Sequence, residues 1–435
     1  MLWPVTSTRN GGGELVIGGV SVSSIAADFG TPVYIYDEAT LRQRAASIRD
    51  AFARAYPDSQ VVYAAKAFGS PAVIRLFRDE GLGLDVVSGG ELYAGLRAGM
   101  SPGMITFHGN NKGRQELCEA LDARVGLIAV DNEFELALLE ELASQRDAVV
   151  PILLRINPGI DVHTHAKIAT GVSDSKFGFP VWEGSADRAV AIAQSSQHLE
   201  LKGYHLHIGS QLLDSEGYEL GVETALEFAG AMRAKHGVIP TIFSPGGGFG
   251  IAYTEETEEP DIEAWALTVA RAVLRSCAMH DLPLPHLVVE PGRSLVGPAG
   301  VALYRIGARK EIAGLRTYVS VDGGMSDNIR PALYEARYTA ELANRSGDGT
   351  REVVTIAGKY CESGDLLIQE IELPRLAAGD LLAMPGAGAY CLAMASNYNL
   401  ATRPAVVLVR DGQATLIRRR ERYEDLLANE LIPGE

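Results

Sequence analysis

The chain has 435 residues, 47% of them hydrophobic, and a formal net charge of −16. This length fits two domains or one large barrel with a companion, and the apolar share is enough for a sizeable core. The negative charge argues against a broad surface for nucleic acid or anionic membrane, although it is compatible with a local cationic pocket for an anion.

Short β-rich segments alternate with helix-like segments through the first two-thirds of the chain. The predicted strands are Val61–Ala65, Leu84–Val87, Ile105–Phe107, Leu127–Val130, Ile152–Ile156, Leu201–His207, Ile242–Ser244 and Leu287–Glu290. The amphipathic stretches with helical spacing include Pro71–Glu80, Glu91–Ala98, Asn132–Ser144, Ala186–Ser195 and the longest, Gly217–His236. Strands that alternate with helices predict parallel βαβ units and favour a (β/α)8 barrel, an α/β fold of the TIM-barrel type. A doubly wound open sheet is the alternative.

The pattern changes after about residue 308. Strand-like runs punctuated by Gly and Asp follow at Tyr318–Val321, Glu352–Ile356, Asp380–Met384 and Ala405–Val409. They predict a mainly antiparallel β domain, to which Leu15–Ile17 and Val33–Tyr36 can supply further strands. We therefore predict a barrel over residues 45–308 and a discontinuous β domain built from residues 1–44 and 309–435.

Four dispersed cysteines occur in the chain, and none forms a CxxC pair. They favour a reducing, cytoplasmic setting and give no support for structural zinc, so no metal site is predicted. Met1–Thr6 lacks a basic start followed by an apolar segment, which predicts that no signal peptide is present. No apolar run is long enough to span a bilayer, so no membrane partner is expected.

Lys66 is the most informative residue, because it ends the apolar strand Val61–Ala65. Desolvation at such a place lowers the pKa of a lysine, and a neutral amine forms a Schiff base with a carbonyl or with pyridoxal 5'-phosphate (PLP). A surface lysine at a strand end is the ordinary alternative. Motifs at the ends of later strands favour the reactive lysine.

These later motifs fall on the rim where barrel enzymes place their active residues. His207 closes strand six and offers a flat ring for stacking, although a satisfied core histidine is the alternative. Gly246–Gly248 follows strand seven, where bare backbone N–H groups can bind a phosphate; a flexible turn is the alternative. Glu290 ends strand eight and needs a cation or a proton donor once buried. A protonated pyridine nitrogen would serve, and a structural ion pair with Arg293 is the alternative.

Taken together, the motifs resemble those of the diaminopimelate decarboxylases, PLP-dependent enzymes with an alanine-racemase-like barrel. The resemblance covers nearly the whole chain and rests on several motifs in the same order. These motifs are Tyr63–Ala67, Asp85–Leu92, His205–Gln211, Pro245–Gly250, Glu290–Arg293, Arg330–Tyr334, Cys361–Ser363 and Gly388–Tyr390. In isolation, the cysteine motif suggests only a small buried thiol, and the last motif only a turn with a core tyrosine.

The resemblance implies a role for each matched residue. Lys66 would hold PLP, His207 would pack on its ring, and Glu290 would pair with the ring nitrogen. The other cofactor-binding residues would be Ser210, Gly247, Gly248, Gly292, Arg293 and Tyr390. Cys361 would donate the proton that completes the reaction. In the family this cysteine reaches the barrel of the other subunit, which implies a homodimer with shared active sites.

The expected substrate is meso-2,6-diaminopimelate, which the family converts to L-lysine and CO2 in the last step of lysine biosynthesis. The residues at the positions that hold the substrate are Arg293, Arg330, Tyr334, Glu362 and Tyr390. Arginine suits bidentate recognition of the distal carboxylate, and Glu362 matches the position that holds the distal amine. One alternative is a related decarboxylase for ornithine, lysine, arginine or a pathway-specific analogue. The other is a PLP-binding regulator without catalysis, against which the presence of both Lys66 and Cys361 argues.

Overall fold

The computed structural model describes residues 2–160, 175–347 and 349–433. The chain divides into two compact units. One, here called the β unit, contains Met1–Arg44, Ile251–Glu259 and Arg293–Glu435. The other, here called the barrel unit, contains Ala45–Gly250 and Pro260–Gly292.

Eight parallel strands of the barrel unit form a closed ring within the described residues. Strands one to eight are Ser59–Ala64, Gly83–Val86, Ile105–Phe107, Leu127–Val130, Val150–Asn157, Leu199–His205, Ile242–Gly246 and His286–Val289. Each strand pairs with the next, and strand eight pairs with strand one, which closes the barrel. The short strand Phe179–Pro180 pairs with the end of strand five. The prediction of a (β/α)8 barrel is thus confirmed, and the open-sheet alternative is wrong.

Helices alternate with these strands. They are Pro71–Asp79, Gly89–Arg97, Arg114–Ala123, Glu133–Ser144, Ser185–Ser195, Glu216–His236 and Ile262–Met279, and Glu38–Ala55 precedes strand one in the chain. Short 3-10 turns lie at Ala65–Ala67 and Pro102–Met104. Local chemistry sets several helix starts, since the side chains of Ser88 and Asn132 accept hydrogen bonds from the first turns of the helices that follow them. Strands such as Val150–Asn157 are mostly buried because helices cover one face and the barrel interior the other.

The β unit is built around one long strand, Gly300–Ile312. This strand pairs antiparallel with Val33–Asp37, Arg316–Val321 and Leu381–Met384. The remaining strands are Thr8–Arg9, Leu15–Ile17, Val20–Ser21, Glu341–Leu342, Arg351–Ala357, Leu366–Pro374, Ala405–Arg410 and Gln413–Arg418. Its helices and 3-10 turns are Val22–Phe29, Arg293–Val296, Arg330–Tyr334, Leu392–Met394, Tyr398–Leu400 and Tyr423–Leu426. Within the described part of the β unit, two strand pairings are parallel and the others are antiparallel. The β unit is therefore mainly antiparallel, as predicted.

The division into units differs from the sequence-based bounds at two places. Residues 293–308 were assigned to the barrel, whereas they group with the β unit because strand Gly300–Ile312 lies at the centre of its sheet. Residues Ile251–Glu259, an interruption that the sequence did not reveal, also group with the β unit. In the described ranges, no helix combines the length and the apolar character needed to cross a membrane.

Candidate active site

Lys66 lies in the turn Ala65–Ala67, directly after strand one, at the rim formed by the carboxyl ends of the barrel strands. Its side chain is half-buried, whereas both neighbouring alanines are fully buried. It interacts electrostatically with Asp85, Glu91 and His207. The structure therefore places the predicted reactive amine beside the predicted stacking histidine, on the rim where barrel enzymes carry out chemistry.

Glu290 follows strand eight and is 6% exposed. Its Oε1 accepts a hydrogen bond of 2.8 Å from the Ser244 hydroxyl, and its Oε2 lies 3.1 Å from His205 Nε2. His108 Nε2 lies 3.5 Å from Oε1. Burial raises the pKa of Glu290, but the nearby His205 imidazole and the Ser244 hydroxyl outweigh it and hold that pKa well below its ordinary value. Glu290 is therefore a buried carboxylate that stays ionised.

Asp85, in strand two, is a second buried carboxyl of the same cluster. Its Oδ1 lies 3.8 Å from His108 Nε2. Burial raises the pKa of Asp85 well above its ordinary value, and the negative charge of Glu290 raises it further. Burial also lowers the pKa of His108, so that imidazole is neutral. The cluster thus distinguishes the two carboxyls, because it favours the ionised form of Glu290 and the protonated form of Asp85.

Several residues of this cluster received no role from the sequence. They are Asp85, His108, Ser244 and also Arg155, which interacts electrostatically with Asp85 and His108. A usable signal was present, because Asp85, Arg155 and Ser244 are polar residues inside otherwise apolar barrel strands. Burying such groups costs free energy unless they are paired, which marks them as structural or functional.

The cluster also has the spacing of a metal site, since ligand atoms of His108, His205 and Glu290 lie within 4.8 Å of one another. The Glu290 oxygens, however, already accept hydrogen bonds from Ser244 and His205. A metal ion would have to displace these donors. The hydrogen-bonded arrangement instead suits a carboxylate that faces a protonated organic group.

The glycine loop after strand seven has the features of an anion cradle. Tyr218 donates to the Gly247 carbonyl at 2.6 Å, and the Leu212 N–H donates to the Gly248 carbonyl at 3.0 Å. Among the described residues, the N–H groups of Gly247 and Gly248 have no acceptor. A Cβ on Gly247 would lie 2.0 Å from the Glu290 carbonyl oxygen, so only glycine fits there. The loop carbonyls accept hydrogen bonds from the protein, whereas the N–H groups remain available to an anion. This arrangement fits the phosphate of PLP.

The remaining predicted cofactor residues of the barrel unit lie on the same rim. His207 is half-buried and lies two residues past the end of strand six. Ser210 is exposed in the loop that follows. A Cβ on Gly292 would lie 3.1 Å from the side chains of both Ala64 and Ala67. This close approach packs the loop after strand eight against the turn that carries Lys66.

In the β unit, Arg293 and Arg330 form a buried cationic pair set among tyrosines. Their exposed fractions are 9% and 5%. Arg293 Nη1 donates to the Tyr253 hydroxyl and Arg330 Nη1 to the Tyr338 hydroxyl. The guanidinium of Arg293 also lies over the ring of Tyr390, 4.7 Å from its centroid. Within the described part of the chain, no carboxylate forms an ion pair with Arg330, so this buried cation is suited to binding an anion.

The other predicted β-unit residues lie at the surface of this chain. Tyr334 is 60% exposed, and Cys361 and Glu362 are also exposed. The Cys361 N–H donates to Asn399 Oδ1 at 3.3 Å. Among the described residues, neither Cys361 nor Glu362 forms a hydrogen bond or an ion pair with Arg330. The structure thus brings the arginines together with Tyr390, whereas the cysteine and its neighbouring acid point to solvent. Sequence reasoning missed Tyr253 and Tyr338, whose importance comes only from their arginine neighbours.

A rim lysine, a buried carboxylate and a glycine loop with available N–H donors lie on one barrel rim, an arrangement that fits a PLP-dependent class of enzyme. Residues 39–297 match the family model described as pyridoxal-dependent decarboxylase, pyridoxal binding domain. The chain is 48% identical to the diaminopimelate decarboxylase of Bacillus subtilis (strain 168), over 98% of this chain and 97% of that protein. It is 47% identical to that of Synechocystis sp., over 100% of this chain and 93% of that protein.

A solved structure gives the same result. The crystal structure of diaminopimelate decarboxylase from M. jannaschii in co-complex with L-lysine is 34% identical, with a TM-score of 0.93. The match covers 100% of this chain and 99% of that one. The chain therefore belongs to the diaminopimelate decarboxylases, a family of pyridoxal-dependent carboxy-lyases.

Proposed function

We propose that this enzyme uses PLP to convert meso-2,6-diaminopimelate to L-lysine and CO2, the last step of lysine biosynthesis. Family membership supports the reaction, and the observation that carries the choice of substrate is Arg330. This guanidinium is buried, and no carboxylate of the described residues pairs with it. A substrate whose far end carries a carboxylate supplies the missing partner.

The barrel residues supply the cofactor site. Bound PLP provides an electron sink for the electron pair released when the carboxylate leaves as CO2. The Lys66 Nζ would hold the cofactor covalently, and the ionised Glu290 would keep a proton on the ring nitrogen, which would make the cofactor a stronger electron sink. The N–H groups of Gly247 and Gly248 bind the phosphate, because they are donors without a protein acceptor among the described residues.

Further cofactor contacts are proposed on the strength of the matched motifs. His207 packs its flat ring on the pyridine. The remaining residues, which contact the phosphate or the edge of the cofactor, are Ser210, Gly292, Arg293 and Tyr390. Glycine at position 292 is supported by its close packing on the turn that carries Lys66.

The β-unit residues select the substrate and complete the reaction. Arg293, Arg330, Tyr334 and Tyr390 bind the distal carboxylate and its surroundings, and Glu362 binds the distal amine. The Cys361 Sγ–H gives its proton to the carbon that has lost CO2, and the thiolate regains a proton from solvent. One C–C bond breaks and one C–H bond forms, so no oxidant or reductant is needed.

Substrates that end in a cation alone fit this arrangement poorly. The far ammonium of lysine or ornithine, or the guanidinium of arginine, would place a like charge against Arg330 and leave it without a partner. An unpaired buried group of this kind gives strong discrimination between substrates. The buried arginine pair therefore disfavours the alternative substrates.

We also propose a homodimer with shared active sites and a cytoplasmic setting. Cys361 is exposed on its own chain, as a residue that acts in the barrel of a second subunit should be. The cytoplasmic proposal is supported by the cysteines Cys118, Cys277, Cys361 and Cys391, which form no disulfide in the described structure.

The direct test is release of CO2 and L-lysine by the purified enzyme, with and without added PLP. We expect kcat/KM for meso-2,6-diaminopimelate to exceed that for L-ornithine, L-lysine and L-arginine by about 10⁴-fold, the discrimination that an unpaired buried group gives. Lys66→Ala serves as the inactive control. A preference for any of the three amino acids without a second carboxylate would overturn the assignment.

A further inference from the structure

Tyr253 touches both guanidiniums of the arginine pair in the β unit. Its ring centroid lies 4.7 Å from Arg330 Cζ and 5.8 Å from Arg293 Cζ. Its hydroxyl accepts a hydrogen bond from Arg293. The tyrosine is 7% exposed, so these contacts are largely shielded from water.

A second tyrosine supports this arrangement from the side. The ring of Tyr338 meets that of Tyr253 edge to face, with centroids 5.1 Å apart. Its hydroxyl accepts from Arg330 and lies 3.5 Å from Cys391 Sγ. Burial raises the pKa of the Tyr338 phenol well above its ordinary value, so the hydroxyl remains neutral beside the cation.

Two like charges in a buried setting repel each other, and each needs compensation. A phenol ring offers its negative face to a cation, and its hydroxyl oxygen accepts a hydrogen bond. Neither contribution neutralises the positive charge, as a carboxylate partner would. The arrangement therefore holds Arg330 in place while leaving its charge available to a ligand.

We propose that Tyr253 is a positioning residue that sets the orientation of Arg293 and Arg330 and thereby determines specificity for a substrate with a second carboxylate. Tyr338 assists because its hydroxyl accepts a hydrogen bond from Arg330. The inference rests on the proposed function, because it names the device that fixes the distal-carboxylate contacts. Neither tyrosine touches the reacting carbon in this scheme, so their effect falls on binding rather than on chemistry.

The test compares Tyr253→Leu, which removes the ring and the hydroxyl, with Tyr253→Phe, which removes the hydroxyl alone. We expect Tyr253→Leu to raise KM for meso-2,6-diaminopimelate by about tenfold, with kcat changed by less than about threefold. Tyr253→Phe should raise KM less, because the ring remains beneath Arg330. Tyr56→Phe is the matched control, since it removes a buried hydroxyl that donates to the Pro285 carbonyl in the barrel unit.

A binding measurement on the holoenzyme separates this inference from the proposed function. Pimelate, a seven-carbon dicarboxylate without amines, and 1,5-diaminopentane, a diamine without carboxylates, are titrated by isothermal calorimetry. Tyr253→Leu should weaken pimelate binding by about tenfold and leave the diamine unchanged. This result would support the inference even if the wild-type enzyme did not release CO2 from meso-2,6-diaminopimelate.

Two outcomes would overturn the inference. One is a Tyr253→Leu enzyme whose kcat falls while KM and pimelate affinity stay at wild-type values. The other is equal weakening of pimelate and of the diamine, which indicates general damage to the fold. If Tyr253→Leu does not fold, the double variant Tyr253→Phe/Tyr338→Phe takes its place, and an unchanged pimelate affinity in it would likewise refute the proposal.

Discussion

Glu290 and Asp85 show how neighbouring residues of one type acquire opposite roles. Both carboxyls are buried in one cluster, yet only Glu290 accepts hydrogen bonds from both Ser244 and His205. The pKa of Glu290 is consequently lowered, and its negative charge helps to raise the pKa of Asp85. The proposed role of Glu290 is to keep a cofactor nitrogen protonated, which requires a permanent negative charge nearby. The cluster favours one such negative charge rather than two.

A third buried carboxyl, Asp327 of the β unit, gives a prediction for stability. It accepts hydrogen bonds from Tyr304 at 2.6 Å and from Tyr34 at 3.0 Å, but burial dominates and raises its pKa from 3.8 to about 6. Between these values the folded chain binds more protons at Asp327 than the unfolded chain does. The stability that Asp327 contributes is therefore complete below about pH 4 and falls as pH rises to about 6.

We expect the free energy of unfolding of the wild type, relative to Asp327→Asn, to fall by about 2 kcal/mol between pH 4 and pH 6. The asparagine variant lacks the titrating group, so the difference between the two proteins isolates this carboxyl. Denaturant unfolding at several pH values measures it. A difference that is independent of pH would show that Asp327 titrates normally in the folded chain.

The sequence could predict residues whose role follows from their place in the chain. Lys66 and Glu290 are candidates from the sequence because each ends a predicted strand, and barrel strands deliver their ends to one rim. Asp327, His108 and Tyr253 were not recognised, because their roles depend on neighbours that are distant in sequence. A buried tyrosine becomes important only when an arginine lies against it, and no local sequence pattern predicts that contact.

At the scale of elements, the loop Gly246–Gly248 connects the core to the site. Gly246 ends strand seven and pairs with Val289 of strand eight, and its carbonyl accepts from the Glu290 N–H at 3.0 Å. The loop and the carboxylate are therefore positioned by the same two strands. We therefore expect a change in this loop to affect both Glu290 and the N–H groups that are proposed to bind the phosphate.

Gly247→Ala tests this coupling, because the added Cβ would lie 2.0 Å from the Glu290 carbonyl oxygen. The backbone must shift, and we expect PLP affinity to fall by at least about tenfold and stability by about 1–3 kcal/mol. Fluorescence titration of the apo-enzyme with PLP measures the affinity. Gly103→Ala is the matched control, since a Cβ there meets no atom within 4 Å. Equal PLP affinity in both variants would contradict the role of the loop.

The bounds of helices and strands are predictable where the periodicity of apolar residues is strong. They are poorly predictable where the pairing of distant strands decides them. The alternation of apolar strands and amphipathic helices defined the barrel, because each element must bury one face. The edge of the barrel was harder to predict, since only residues 293–299, with the short helix Arg293–Val296, separate the last barrel segment from strand Gly300–Ile312. Only its pairing with Val33–Asp37 and Leu381–Met384 shows that it belongs to the other sheet.

At the scale of the whole molecule, the exposed Cys361 and the buried Lys66 turn make the proposed dimer testable. Co-expression of Lys66→Ala and Cys361→Ala chains gives mixed dimers in which one of the two sites has both residues intact. Purified mixed dimers should have about half of the wild-type activity, because one of their two sites is intact, although each variant alone is much less active. Activity is measured on tandem-purified mixed dimers, with each homodimer as the control. Mixed dimers no more active than the homodimers would show that each site is built from one chain.

The pairing of strand Val33–Asp37 has a consequence for the synthesis of this chain on the ribosome. All five residues of this strand are buried, and its two neighbours are Gly300–Ile312 and Ala405–Arg410. At the usual pace of translation, the strand leaves the ribosome roughly 20–70 s before its C-terminal neighbour is made. Throughout that interval the nascent chain carries an apolar segment with at least one unpaired strand edge. We therefore expect the chain to be most prone to aggregation, and most dependent on chaperones, while it is being synthesised.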